Sequence, residues 1–149
     1  DGGAASDGFA RGVGPRLRRA FTLLCGPEAG RDATAEALAW GWEHWTELAE
    51  MANPAGDLYR VGQSRTRWKP ERFAPPPVPA DAPGFEPGLV PALGRLSDRQ
   101  RTAVVLVHGC GWTHQEVADA LDLSRSSVAT HVQRAMAQLR AELGVDDDG

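Results

Sequence analysis

The chain has 149 residues, of which 42% are apolar and 24% are charged, and its formal net charge is −4 at pH 7. This length allows one domain or two small ones, and no apolar run approaches the length that spans a bilayer. Two cysteines are too few for a disulfide framework, and the chain opens with no secretory signal pattern. We therefore expect neither a membrane protein nor a disulfide-stabilised secreted domain.

The charge is distributed unevenly along the chain. Residues 141–149 contain four acidic side chains and no base, which accounts for the whole net charge of −4. Residues 95–140 contain six arginines against four acids, and residues 57–72 contain five bases against two acids. Local basic segments, rather than the net charge, determine whether a protein attracts nucleic acid. The pattern thus permits a nucleic-acid partner.

The first predicted helices follow a short lead. Residues 1–7 are rich in glycine and alanine, and we expect them to be a disordered lead. Apolar side chains at helical spacing predict a helix over Phe9–Cys25, which Gly26-Pro27 would end. Asp32 is a candidate cap for a second helix over about Ala33–Met51. Three tryptophans of this helix cannot all point one way, so at least one should face a second helix, solvent or a partner: Trp40, Trp42 and Trp45.

A third predicted helix, over about Pro54–Trp68, combines basic and aromatic side chains. It follows Asn53, a candidate cap, and begins with a proline, which suits the first helical position. Arginines interleaved with aromatics are typical of a surface that follows a nucleic-acid backbone and stacks on bases. A solvated basic helix explains the composition equally well. The residues concerned are Tyr59, Arg60, Arg65, Arg67 and Trp68.

A proline-rich linker separates the two helical parts. Residues 70–91 contain eight of the eleven prolines and show no helical or strand periodicity. Such a segment is extended and semi-rigid, and an interdomain tether is a more common use of it than a ligand for a proline-recognising module. After it, Ser97 and Gln100 form a capping-box pattern for a helix over about Asp98–His108.

The C-terminal part contains the pattern of a helix-turn-helix. Thr113 and Glu116 form a second capping-box pattern, Asp122-Leu123 makes a turn, and Ser124 is placed to cap the next helix. That helix would bury one apolar face at spacings of four, three and four: Val128, Val132, Ala135 and Leu139.

The opposite face of this last helix carries small or hydrogen-bonding side chains. A helix that enters the major groove and meets base edges and phosphates needs such a face. The alternative is an ordinary amphipathic hairpin with a solvated polar face. The candidate DNA-reading residues are Arg125, Ser126, Ser127, Thr130, His131, Gln133 and Arg134.

No motif predicts a metal site or a catalytic site. A metal site built from His108, Cys110, His114 and Cys25 is conceivable, but the ligand spacing does not match a zinc motif. No nucleophile with a base, phosphate-binding loop or paired carboxylate motif stands out. We therefore expect no metal, no cofactor and no catalytic residue, and the enzyme hypothesis is poor.

The motifs resemble a known family. Residues 96–140 contain Leu-Ser-x-x-Gln-Arg, then Gly-Trp-Thr-x-x-Glu-Val-Ala, then Leu-Ser-x-Ser-x-Val, in the order of region 4 of group-four (extracytoplasmic-function type) bacterial sigma factors. Residues 32–38 with Trp42 resemble that family's polymerase-clamp helix, and residues 53–61 resemble its promoter-melting segment. The resemblance covers about 8–68 and 92–143. It implies an all-α chain with a region 2-like domain (8–68), a linker (69–91), a region 4-like helix-turn-helix domain (92–143) and an acidic tail (144–149).

The resemblance also implies roles for individual residues. Region 2 would bind the clamp of core RNA polymerase through Asp32, Glu36 and Trp40, and Asn53 would capture a base of the −10 element. Region 4 would read the −35 element of promoter DNA through the seven candidate residues of the last helix, and would touch the polymerase flap. The arginines that would hold the non-template strand are Arg60, Arg65 and Arg67. An anti-sigma protein is a further expected partner, no membrane role is implied, and the expected location is the cytoplasm.

The chain departs from the family at several positions. Asp57 stands where an aromatic residue is usual, and Ala129 and His131 stand where cations are frequent. Each missing cation lowers phosphate affinity, so we expect weak DNA binding by the free chain and promoter binding that depends on core polymerase. Two alternatives stay open: a sigma-like DNA-binding regulator that does not act with core polymerase, and a sigma factor held in complex with an anti-sigma protein.

Overall fold

The computed structural model is all-α over the residues that it describes. These are residues 2–51, 53–66, 73–76 and 87–144, and side chains are described from residue 12 onward. Within them lie seven α-helices and one π-helical turn, with no strand. The prediction of an all-α fold is therefore confirmed. We refer to residues 2–66 as the N-terminal module and to residues 87–144 as the C-terminal module.

The N-terminal module begins with a long, kinked helix. Helix α1 (Gly2–Glu43) is interrupted at Gly26, whose φ of 90° and ψ of 169° lie outside the helical region, and α2 (Trp45–Ala49) follows. The positive φ favours glycine, and Pro27 directly after it suits a first helical turn. The second half of α1 thus starts well before residue 33, and Asp32 lies inside the helix instead of capping it. Residues 2–7, which we expected to be disordered, are helical.

Helix α3 (Pro54–Ser64) completes the N-terminal module and packs on α1. Its proline occupies the first turn, but the Asn53 side chain makes no capping hydrogen bond, and the helix ends at Ser64 instead of the predicted Trp68. The Phe21 and Tyr59 rings stack with centroids 4.8 Å apart. A Cβ at Gly62 would lie 2.7 Å from the Ala33 carbonyl oxygen, so only glycine permits this approach of the two helices.

The C-terminal module contains four helices and a π-helical turn. They are α4 (Leu89–Gly94), α5 (Asp98–Val104) with the turn Val105–Gly109 directly after it, α6 (His114–Leu121) and α7 (Arg125–Leu143). Helix α4 begins within the stretch predicted as linker, three residues before position 92. The predicted helix over 98–108 is present, but its last turn is π-helical.

The capping predictions in this module are confirmed. Gln100 and Glu116 each complete a capping box, with Ser97 and Thr113 respectively, and the Ser124 hydroxyl accepts a hydrogen bond from the Ser127 backbone N–H. Asp122 takes the left-handed conformation (φ 55°), which lets the chain turn from α6 into α7. The four predicted apolar positions of α7 are all buried: Val128, Val132, Ala135 and Leu139.

The two modules pack against each other and share one hydrophobic core. Buried side chains of α1 and α3 belong to the same cluster as those of α5, α6 and α7. The linker residues 73–76 lie between the modules. There the Ala74 N–H donates to the Leu24 carbonyl, and the guanidinium of Arg101 lies 5.0 Å from the Phe73 ring centroid. The linker therefore contacts both modules.

Candidate nucleic-acid interface

The candidate reading face of α7 is open to solvent. Five of its seven predicted residues are exposed, and Ser127 and His131 are half-buried. The Thr130 hydroxyl donates to the Ser126 carbonyl at 3.1 Å, and the Ser124 hydroxyl donates to the Ser127 hydroxyl at 2.9 Å. These bonds fix the first turns of the helix. The face brings together Arg125, Ser126, Ser127, Thr130, His131, Gln133 and Arg134 on a helix whose opposite side is buried.

Helix α6 supports α7 and is itself held by its cap. The Thr113 N–H donates to a Glu116 carboxylate oxygen at 3.0 Å, and the Glu116 N–H donates to the Thr113 hydroxyl at 3.1 Å. Hydrogen bonding from Arg16 is the main cause that lowers the pKa of Glu116 below its ordinary value. Glu116 therefore has two partners: the start of its own helix and the N-terminal module.

The predicted −10 residues that the structure describes lie directly before, within and directly after α3. Asn53 is half-buried before its first turn, whereas Arg60 and Arg65 are exposed. Arg67 lies outside the described residues. Burial, followed by repulsion from the Asp119 carboxylate, raises the pKa of Asp57, which sits in the first turn of α3. The basic side chains of this helix thus begin only at its second half.

The polymerase-binding prediction falls on the second half of α1. Asp32 and Glu36 are exposed there. The Trp40 ring is half-buried and stacks on the His44 ring with centroids 4.1 Å apart. The side chain of Trp42 is 61% exposed, and among the described residues no other large apolar side chain is exposed. An exposed tryptophan ring fits a protein-binding surface better than the packed ring of Trp40 does.

Sequence reasoning did not predict the contacts between the modules. The Arg16 guanidinium donates to both carboxylate oxygens of Glu116, at 2.8 Å each, and lies 5.3 Å from the Trp112 ring centroid. The Arg19 guanidinium donates to the Gly109 carbonyl at 3.0 Å. Arg16 and Glu116 are 100 positions apart in the chain. No local signal reveals such a pair, because helical periodicity shows only that Arg16 faces outward from α1.

Across the described residues, no group of three or more His, Cys, Asp and Glu side chains is arranged to hold a metal ion. None of the helices in the same residues has the length and apolar character needed to cross a membrane.

The fold and the α7 face define a class: a two-module helical protein with a helix-turn-helix in its second module. The family model described as "Sigma-70, region 4" matches residues 89–139. The RNA polymerase sigma-E factor of Streptomyces coelicolor is 30% identical to the chain over 143 residues, which cover 88% of this chain and 81% of that protein. The corresponding factor of Streptomyces antibioticus is 29% identical, with coverage of 88% and 79%.

A solved structure supports the same fold. The sigma factor RpoE of Bartonella quintana, crystallised with the anti-sigma factor NepR, superimposes with a TM-score of 0.72. The match covers 94% of this chain and 97% of that one at 21% identity. The chain belongs to the extracytoplasmic-function type of the RNA polymerase sigma factor family. Its function is therefore to direct core RNA polymerase to specific promoters, with the C-terminal module as region 4.

Proposed function

We propose that α7 reads the −35 element of the promoter. The observation that carries this proposal is the exposed row of hydrogen-bonding side chains on a helix whose N-terminus is capped and whose other face is buried. Arg134 and Gln133 have the length to reach base edges, while Arg125 at the first helical position suits a phosphate contact. The short hydroxyl side chains let the helix approach the groove closely.

The start of α3 and its arginines are the proposed −10 surface. Asn53 makes no capping hydrogen bond, so its amide is available to a flipped base. Arg60 and Arg65 are exposed and suit the phosphates of the non-template strand, and Arg67 is proposed for the same role from the sequence. No bond-making residue is needed, because the polymerase performs the chemistry in the cytoplasm.

The exposed face of the second half of α1 is the proposed clamp-binding surface. Asp32 and Glu36 stay in this proposal because both are exposed. We add Trp42, whose exposed ring can be buried by a partner, whereas Trp40 is proposed to act by shaping the surface from below. We also propose that the C-terminal module contacts the flap of the polymerase.

Transcription with altered α7 tests the −35 proposal. Core polymerase with the chain would be given genomic DNA fragments, and the 5′ ends of the transcripts would define the promoters used. Arg134→Ala should lower initiation at those promoters by roughly tenfold or more, since one base contact contributes about 1–3 kcal/mol. Arg18→Ala, an exposed arginine on α1, is the matched control and should leave initiation unchanged. Equal activity of the two variants would contradict the proposal.

An anti-sigma protein is the proposed second partner. A groove of about 580 Å³ lies between α1, the linker and the C-terminal module, with an apolar floor that includes Leu23, Leu93 and Met136. Its titratable lining residues are all basic: Arg19, His108 and Arg140. Apolar lining with a basic rim suits an amphipathic helix that carries acidic residues. The Bartonella protein, which shares the fold, was crystallised with an anti-sigma factor.

Groove substitutions test this second proposal. Leu93→Glu would place a carboxylate on the apolar floor and should abolish capture of a candidate anti-sigma protein while initiation with core polymerase persists. Ala137→Glu, an exposed position of α7 outside the groove, is the control. Retained capture by Leu93→Glu would show that the partner binds elsewhere.

A further inference from the structure

The groove between α1, the linker and the C-terminal module has the size of a site for a small apolar ligand. Its volume of about 580 Å³ lies within the range of about 300–1,000 Å³ that is typical of such sites. Two turns of an α-helix, about 10 Å wide and 11 Å long, fill roughly 850 Å³. A partner helix can therefore place only one face in the groove, whereas a narrow flexible molecule can enter it whole.

The linker forms one wall of this groove and is held there by α1. Pro75 and Pro76 line the groove. Directly before them, the Ala74 N–H donates to the Leu24 carbonyl at 3.0 Å. A Cβ at Gly26 would lie 3.1 Å from the Ala74 carbonyl oxygen, so the linker backbone is in contact with the kink of α1. This wall is preformed, and a ligand does not have to order it on binding.

The π-helical turn Val105–Gly109 contributes a second wall. Val105, His108 and Gly109 of this turn line the groove. Turns of π-helix are rare, and they are frequent at functional sites. The partner contacts proposed above do not require this conformation. Its presence beside an apolar groove is therefore an independent indication of a ligand site.

The charged side chains of the groove favour an anionic head group. Arg19, His108 and Arg140 are exposed at its rim, and no carboxylate of the described residues lines it. The Arg19 guanidinium donates to the Gly109 carbonyl through Nε at 3.2 Å and Nη2 at 3.0 Å, which holds this cation against the turn that carries His108. A carboxylate at this end would meet two basic side chains, and charge-assisted hydrogen bonds are about twice as strong as neutral ones.

We propose that the groove binds a free long-chain carboxylate, with the alkyl chain on the apolar floor and the carboxylate at Arg19 and His108. Bound there, the ligand covers the surface that an anti-sigma helix is proposed to use, and it releases the protein from that partner. The release rests on the proposed anti-sigma role of the groove, whereas ligand binding itself does not. The protein thereby responds directly to a small molecule.

Calorimetric titration of the full chain with laurate, below the critical micelle concentration, tests ligand binding. We expect one laurate to bind per protein molecule. Dodecyltrimethylammonium has an alkyl chain of nearly the same length and the opposite charge, and it should bind roughly tenfold more weakly or worse, because its head group meets Arg19 and His108. Equal affinities for the two amphiphiles would overturn the proposal, and so would the absence of laurate binding.

Two variants with matched controls locate the site. Arg19→Gln should weaken laurate binding by roughly tenfold and narrow its advantage over dodecyltrimethylammonium, whereas Arg18→Gln, at an exposed neighbour outside the groove, should change neither quantity. Met136→Glu places a carboxylate on the apolar floor and should abolish laurate binding, whereas Ala137→Glu, at the adjacent exposed position of α7, should not. Circular dichroism checks that each variant folds. If Met136→Glu does not fold, unchanged laurate affinity in Arg19→Gln still overturns the proposal.

Vesicles of phosphatidylglycerol distinguish a free carboxylate from a membrane lipid. The protein should stay in the supernatant when these vesicles are sedimented. Co-sedimentation that Met136→Glu abolishes would show that the groove takes the acyl chains of a bilayer, which would overturn the proposal of a free ligand.

Displacement of a captured anti-sigma protein separates this inference from the proposed function. Laurate should release the partner from the wild-type chain and should not release it from Arg19→Gln at the same concentration. Laurate binding without release would overturn the regulatory consequence together with the proposed anti-sigma role of the groove, and it would leave the ligand site standing. A partner that requires the groove, combined with no laurate binding, would overturn the ligand site alone.

Discussion

Two tryptophans of α1 illustrate how much a single residue's surroundings determine its role. Trp40 and Trp42 are two positions apart, so they point in different directions around the helix. The sequence resemblance assigned Trp40 to polymerase binding, but its ring is half-buried against His44, whereas Trp42 is exposed. Because burial of a large exposed ring is a frequent source of binding energy, we propose Trp42 as the contact residue in place of Trp40.

Substitution of the two tryptophans should separate binding from stability. Trp42→Ala should weaken binding to core polymerase by roughly tenfold or more and leave the unfolding free energy nearly unchanged. Trp40→Ala should lower the unfolding free energy by about 1–3 kcal/mol, because it removes part of a packed aromatic pair. Affinity measurements and urea denaturation of both variants check this, and the reverse assignment of effects would refute it.

The environment of the Asp57 carboxylate should affect how the stability of the protein depends on pH. Burial and the nearby Asp119 carboxylate raise its pKa, so the ionised form is less favourable in the folded chain than in the unfolded one. This unfavourable contribution is present at neutral pH and disappears as pH falls below the ordinary value of 3.8. Asp57→Asn should therefore stabilise the protein at pH 7 and not at about pH 3. Exposed Asp32→Asn is the control, and stabilisation of similar size in both variants would contradict the argument.

The starts of three helices in the C-terminal module were the most predictable features of this chain. Capping boxes are local patterns of three or four residues, so Ser97, Thr113 and Ser124 could be identified without tertiary information. The start of the second half of α1 was predicted about six residues late. There, the sequence offered Asp32 as a cap, but the positive φ of Gly26 allows the helix to resume at once. Backbone conformation at a glycine is set by the packed structure and has no unique sequence signal.

The cap of α7 should contribute measurably to stability and to DNA reading. Ser124→Ala removes the acceptor for the Ser127 N–H and should cost about 1 kcal/mol of unfolding free energy. Ser124→Gly should cost only a few tenths of a kcal/mol, because glycine is tolerated at this position. Thermal or urea unfolding of the two variants checks the difference. Equal losses would show that the hydroxyl does not act as a cap.

At the scale of the whole molecule, the sequence predicted two modules but not their packing. The helices that meet the other module have an ordinary amphipathic pattern. In the sequence, Arg16 resembles any other outward-facing arginine of α1. The pairing of Arg16 with Glu116 depends on how two surfaces far apart in the sequence fit together, which neither periodicity nor capping patterns can predict. The α7 reading face was predictable because it is the exposed side of one helix.

The intermodule ion pair should make stability depend on pH. The folded-state pKa of Glu116 lies below its ordinary value of 4.5, so the pair contributes above that pH and its contribution is lost as pH falls through the folded value. Wild type should therefore be more stable than Glu116→Gln at pH 7, and the difference should shrink below about pH 4. A difference that stays constant across this range would exclude the carboxylate charge as its cause.

The most direct test of the account measures DNA binding and transcription by the same preparation, with and without core RNA polymerase. We expect the free chain to bind promoter duplex weakly, and core polymerase plus the chain to start transcripts at defined positions. Tight, salt-resistant promoter binding by the free chain, together with no transcript in the presence of core polymerase, would contradict the account.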